Sequence, residues 1–343
     1  MTIQPWRAVS VQMKSELAVT APDHAAAWKV IDKNIACGLR LIEAACAEYD
    51  APKVFVTPEF AFQGAPHETP VAEWIDKACC PIPGPITAPF QSLAKRKRIY
   101  IGGNQFETDP EWPGRYFNTC FLIGPEGDII LRYRRITTAA FPSPHDFMDA
   151  YMARYTAVEA FPVVETELGR IAMIACSEIA VPEVARVMMM QGAEIILHPT
   201  NGKKSASEDA AKIARCAENK VYLVSANVAG PIGFSIDRTI PGGRSRIIDF
   251  TGEILAFEPS AEEGIGVSAL IDVEALRRNR TEDTGPSSLL RARWEMYRPF
   301  FAKASFYPPN SFLDRPMIDM ADTESALAAS RRNFAKAGIT VAG

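Results

Sequence analysis

Residues 171–182 read IAMIACSEIAVP, from Ile171 to Pro182. Four apolar residues lead into Ala175, Cys176, Ser177 and Glu178, and a second apolar segment follows. An apolar run of this length, closed by a polar break, predicts a buried strand. Pro182, followed by Glu183, Val184, Ala185 and Arg186, predicts a helix start. Proline suits an early helical position, and an acid in the first turn meets the positive end of the helix dipole. Cys176 therefore stands where a buried strand hands over to a helix. In an α/β enzyme this is a nucleophile's place, at the carboxyl end of a strand beside free backbone N–H groups. A structural cysteine fits the same position, since free cysteine is among the most buried residue types. The rest of the chain has to decide between the two.

Working outward from Cys176, the pattern alternates strands and helices. Upstream, Arg7–Met13 alternates like a first strand, and Asp23 caps a long helical pattern to about residue 48. Lys53–Thr57 is a short β-branched strand that ends at Pro58-Glu59-Phe60, so Glu59 is a carboxylate at a strand exit between aromatic neighbours. A loop acid facing solvent is the ordinary reading. Burial among Phe60 and Phe62 would instead raise its pKa toward that of a useful base. A helix over 85–97 and strands over 99–103, 117–123 and 129–133 follow, with a turn at 124–128. The last of these runs out into Arg134-Arg135 and a long proline-containing stretch, read as loop with a helical turn. Downstream, a helix over 182–191 closes at Gly192. Strands over 194–198 and 222–227 enclose a helix over 207–219, then comes a Gly- and Pro-rich loop, a hairpin at 244–257 and a last strand at 266–272. Two hairpins within a βα alternation predict an α/β fold with two sheets and helices outside.

Composition narrows the function classes. The chain has 343 residues, 48% hydrophobic and 23% charged, with net charge −4 and a pI near 5.7. No basic run exceeds Lys95–Arg98, so nucleic-acid binding has no electrostatic footprint. No apolar stretch reaches membrane-spanning length, and the N-terminus lacks a charged-then-apolar signal pattern. Seven cysteines without metal-type spacing, together with four histidines that form no ligand pair, argue for a reducing, cytoplasmic setting and against a structural metal. Residues 1–280 read as one domain. The segment 281–343, aromatic and proline-rich before a helix-like stretch at 321–336, reads as an extension packed on the body or on a neighbouring subunit.

Glu59, Arg135 and Cys176 lie at three strand ends. A thiol attacking an amide or nitrile carbon needs a base for its proton and positive charge or N–H donors where the oxyanion develops. These three groups supply that set.

In this order the motifs resemble the nitrilase superfamily of carbon–nitrogen hydrolases, in its amidase-like branch. VTPEF with Glu59 is similar to its first motif, and CSEIAVPE from Cys176 to Glu183 to its third. The Asn118 strand with GPEGDIILRYRR, QGAEIILHPT, ARCAENKVYLVSAN and GGRSRIIDFTGEILA extend the likeness over about residues 5–275. The resemblance implies a four-layered α-β-β-α sandwich and a cysteine thioester mechanism without metal or organic cofactor. It also implies a small-molecule amide or nitrile substrate and a homodimer or higher homo-oligomer.

The second motif departs from the family. Where the resemblance implies a catalytic lysine, Tyr133-Arg134-Arg135 places an arginine, and no lysine occurs between Lys97 and Lys203. Arginine is permanently charged and forked, so it holds an oxyanion but carries no proton. A bidentate pair with Glu59 would depress that carboxylate's pKa. The family's second acid falls nearest Asp149. Ser177 supplies an oxyanion N–H, Glu178 holds the turn, and Asn201 and Asn227 are pocket or turn residues. His198 reads as a core or rim residue.

Hydrolysis of a small amide or carbamoyl amide follows as the expected activity. Ser177 and Glu178 after the cysteine lean away from nitriles. A non-catalytic homologue that binds a small acid or amide is the reading Arg135 motivates, and acyl transfer to an amine is a third.

Overall fold

In the computed structural model, residues 2–138, 141–231, 240–282 and 289–340 are described. Parts of the loops read after Arg135 and Asn227, and the first part of the tail, lie outside them. The strands are Trp6–Gln12 (β1), Pro52–Val56 (β2), Tyr100–Thr108 (β3), Tyr116–Ile123 (β4), Ile129–Arg134 (β5), Val164–Thr166 (β6), Gly169–Met173 (β7), Ile195–Thr200 (β8), Tyr222–Asn227 (β9), Arg246–Ile248 (β10), Ile254–Phe257 (β11) and Gly264–Ile271 (β12). They form two six-stranded sheets, ordered β12-β1-β2-β3-β4-β5 and β11-β10-β9-β8-β7-β6. Within each sheet the central pairs are parallel, β1–β2–β3 and β7–β8–β9, and the flanking pairs antiparallel.

The helices His24–Glu48 and Thr87–Lys97 cover the first sheet, and Pro182–Met190 and Ala206–Asn219 cover the second. This is the α-β-β-α sandwich. Strand alternation builds two apolar layers from one strand. Val54 and Val56 of β2 point into the core shared by the two sheets, while Phe55 joins Ile31, Ile35 and Phe90 beneath the outer helices. Asp23 caps the first long helix, its side chain accepting from Ala26 N–H at 2.8 Å.

Three local readings change. β7 ends at Met173, and Cys176 opens a short 3-10 turn, Cys176–Ala180, before the helix begins at Pro182. The stretch read as loop after Arg135 holds a 3-10 turn at Pro144–Phe147 and a helix at Met148–Arg154. Ser143 caps that 3-10 turn, and the Asp146 carboxylate accepts from Ser143 N–H at 2.8 Å. Helices also form at Val71–Ala78, Val273–Thr281 and Trp294–Lys303, whose apolar faces are too short to show as a helical period in the sequence. The tail lies on the body. Phe312 N–H donates to Asp146 O at 2.8 Å, Asn310 N–H to His145 O at 3.1 Å, and Val71 N–H to Ile318 O at 2.8 Å. Among the described residues no helix is long and apolar enough to cross a membrane.

Candidate active site

Glu59 sits where the two sheets meet. One residue past β2, Thr57 N–H bonds Gly102 O of β3 at 2.9 Å, and Glu59 N–H bonds Thr200 O of β8 at 3.3 Å. The next residue, Phe60, takes a left-handed φ of 56° and donates its N–H to Asn104 Oδ1 at 3.2 Å. The Glu59 side chain is fully buried. Its Oε1 accepts from Asn118 Nδ2 at 2.9 Å and from Arg135 Nη1 at 3.0 Å. Asn118 Oδ1 in turn accepts from Asn104 Nδ2 at 2.5 Å, so two strand amides in series orient the carboxylate. The second oxygen, Oε2, has no hydrogen-bond partner among the described residues, and the carboxyl group neighbours the Cys176 thiol.

Arg135 follows β5. Successive residues point to opposite sides of a strand. Arg134 accordingly meets Glu107 at 2.9 Å, and Arg135 turns toward Glu59. Its guanidinium is spread over three partners: Nη1 to Glu59, Nε to Thr137 O at 2.8 Å and Nη2 to Ser177 Oγ at 2.6 Å. A bidentate pair with Glu59 does not form, because the fork is divided between Glu59 and Ser177. Glu178, also buried, accepts from Ile136 N–H at 3.1 Å and Thr137 N–H at 2.8 Å. It therefore holds the Arg135 loop as well as belonging to the Cys176 turn.

Cys176 takes a φ of 45°, the left-handed region that costs a side chain of its kind energy. Its carbonyl accepts from His198 Nε2 at 2.9 Å. Since a carbonyl only accepts, that nitrogen carries the proton, and Nδ1 accepts from Ser225 Oγ at 2.8 Å. Burial pushes His198 down to about 3, so it is neutral and serves as a strut. The thiol receives Thr200 Oγ1 at 3.5 Å and the backbone N–H of Asn201.

Burial dominates the charges here. It lifts Glu59 above the ordinary carboxylate range even though Arg135, Cys176 and Asn118 pull the other way. Burial and the Glu59 charge push the Cys176 thiol up to about 12, with Arg135 opposing. The resting pair is thus a thiol beside a carboxylate whose proton affinity is raised toward that of a base. Arg135 stays charged, since Glu59, Cys176 and Glu178 outweigh its desolvation.

Of the residues read from sequence, the fold brings together Glu59, Arg135, Cys176, Ser177 and Asn201. It does not bring Asp149, which is exposed on the first turn of Met148–Arg154, its N–H bonded to Asn310 Oδ1 at 2.8 Å. Counting back from Cys176 fails because the helices Met148–Arg154 and Ala157–Ala160 and the β6–β7 hairpin lie along the way. Asn227 is a turn residue: its Oδ1 accepts from Gly202 N–H and its Nδ2 donates to Gly202 O and Gly243 O. Asn104 and Thr200 were not singled out. The signal for Asn104 was a polar side chain inside an otherwise buried strand, which must find a partner. Among the described residues no cluster of three or more His, Cys, Asp or Glu is placed to hold a metal.

Known proteins share this architecture. A carbon–nitrogen hydrolase from Helicobacter pylori superposes with a TM-score of 0.66 at 19% identity, covering 88% of this chain and 99% of its own. A glutamate-to-glutamine mutant of the amidase from Nesterenkonia sp. AN1 superposes at 0.59 with 18% identity, covering 86% and 96%. That structure is described as showing covalent addition of the acetamide moiety of fluoroacetamide at its active-site cysteine. In sequence, an omega-amidase of Xenopus tropicalis is 28% identical over 59% of this chain and 71% of its own length. A formamidase of Bacillus cereus is 27% identical over 58% of this chain, and the match spans 57% of the formamidase. Residues 7–280 match the carbon-nitrogen hydrolase family, which takes in both sheets and every residue of the Glu59–Arg135–Cys176 cluster; the chain belongs to that family.

Proposed function

We propose that this protein hydrolyses a small amide through a thioester on Cys176. The observation that carries the reading is the buried contact of Glu59, Arg135 and the Cys176 turn. It unites a base, a fixed positive charge and a thiol at one point. Glu59 takes the thiol proton as sulfur attacks the amide carbon. The carbonyl π pair moves onto oxygen, and that charge is held by the Arg135 guanidinium and the Ser177 N–H. Glu59 returns its proton to the leaving nitrogen, the C–N bond breaks, and ammonia or an amine departs. Water then gives a proton to Glu59 and its oxygen attacks the thioester carbon. The C–S bond breaks, the acid leaves, and the thiolate recovers the proton.

Arg135 takes the place of the lysine that the family resemblance implies, and its part here is electrostatic. With Nε and Nη2 already committed, it stays in one position through the cycle and moves no proton. The thiol's raised pKa fits a nucleophile that is discharged only when substrate and Glu59 meet it together. The omega-amidase and formamidase relatives favour amides over nitriles. Ammonia release from a panel of small aliphatic amides, beside the matching nitriles, tests the proposal. Turnover of amides that is lost in Cys176→Ala and in Glu59→Gln supports it. A Cys176→Ala variant that keeps its activity would sink it.

A further inference from the structure

The helix Ala206–Asn219 closes one side of the Cys176 turn, Arg215 Nε donating to Ile179 O at 3.0 Å. Near its start an acid and a base pair off: Glu208 Oε1 meets Lys212 Nζ at 2.9 Å, with side chains only 18% and 6% exposed. The Glu208 carboxylate lies over the backbone of Gly202. A Cβ on that glycine would come within 3.1 Å of Oε2 and 3.2 Å of Oε1. Gly202 follows Asn201, whose N–H bonds the thiol. Asn201 is 5% exposed, and neither its Oδ1 nor its Nδ2 has a partner among the described residues. Burying such an amide is unfavourable unless a ligand engages it.

We propose that Glu208, clamped by Lys212 over Gly202 beside the unpartnered amide of Asn201, reads the non-reacting end of the substrate. It selects an amide whose far substituent donates hydrogen bonds over one whose far substituent is a carboxylate. This rests on the amidase reading of the same site. The carboxylate accepts and never donates while ionised, so an N–H donor is its complement, and a second carboxylate would be repelled. Asn201 supplies both an NH2 donor group and a carbonyl acceptor, the complement of a carboxamide. Lys212 fixes the orientation of the Glu208 carboxylate. The charge of Glu208 is also felt at the thiol, which it pushes up, and that of Lys212 at His198, which it pushes down.

The test uses binding rather than turnover, in the full chain carrying Cys176→Ala, so that it stands apart from the hydrolysis experiment. Calorimetric titration compares succinamide with succinamate, which share a reacting amide and differ only at the far end. Succinamide is expected to bind at least about tenfold more tightly, the size of a like-charge penalty in a half-buried site. Glu208→Gln should bring the two within about threefold, chiefly by tightening succinamate, because Lys212 is left without its anion. Lys212→Gln should preserve or widen the gap. Circular dichroism matching the parent qualifies each variant. Equal binding of the two ligands by the parent, no binding of either, or an equal loss for both in Glu208→Gln would overturn the proposal. Selective binding together with failure to hydrolyse any amide would retain this assignment of Glu208 and remove the hydrolase reading.

Discussion

Arg135 meets Glu59 through a single bond, Nη1 to Oε1 at 3.0 Å, while its other two nitrogens are held by Thr137 O and Ser177 Oγ. The guanidinium is thereby a fixed charge shared between the base and the turn that carries the thiol. A lysine in its place would keep the charge and reach fewer of the three partners.

Substitutions at Arg135 separate charge from geometry. Arg135→Met removes the proposed oxyanion donor and is expected to lower kcat/KM by about 100-fold or more, as loss of such a donor does elsewhere. Arg135→Lys retains the charge and should lose roughly tenfold. Steady-state kinetics on one turned-over amide decides the matter. Equal losses in the two variants would mean that the forked geometry, not the charge, is what the site uses.

The pH profile reports Glu59. Its pKa is raised by burial above the ordinary 4.5, so activity should fall with acid through a pKa higher than that value. The Asn118 bond pulls this pKa down. Asn118→Leu should therefore move the acid limb of kcat/KM to higher pH, by up to about one unit. A limb that stays in place, or moves lower, would remove Asn118 as the residue that tunes the base.

His198 ties stability to pH. Its folded pKa is about 3 against an ordinary 6.5, so between these values the unfolded chain binds the extra proton. The contribution is whole above 6.5 and is lost as pH falls toward 3. Urea unfolding of the wild type and His198→Gln at pH 7 and pH 4.5 should show their difference shrinking by ~2 kcal/mol at the lower pH. A difference independent of pH would mean that His198 is not held neutral.

Glu178 is a structural acceptor. Glu178→Leu leaves the N–H groups of Ile136 and Thr137 without their acceptor, a cost of about 2–5 kcal/mol in denaturant unfolding. Glu178→Gln keeps an acceptor oxygen and should lose less than half of that. Equal losses would place the requirement on the charge instead.

Much of this was legible in the sequence because it follows from local pattern. A β-branched run before Pro58-Glu59, and an apolar run broken at Cys176, each put a polar group at a strand end whatever the rest of the chain does. The two-sheet sandwich followed from strands and helices in alternation. What escaped depends on tertiary approach. Nothing near Arg135 in sequence says that its fork is divided between Glu59 and Ser177, since those partners come from different sheets. Asn104 reaches Glu59 only through Asn118, across a strand pair set by register. Asp149 was placed by counting, and the turn capped by Ser143 and Asp146 takes it out to solvent.

The central claim is that Cys176 forms an acyl intermediate. Intact-protein mass spectrometry, after brief exposure to a panel of small amides, tests it most directly, with Cys176→Ala run alongside. An adduct of acyl mass on the wild type alone, decaying as acid is released, is the expected result. An adduct that also appears on Cys176→Ala, or acid released by that variant at the wild-type rate, would contradict the account.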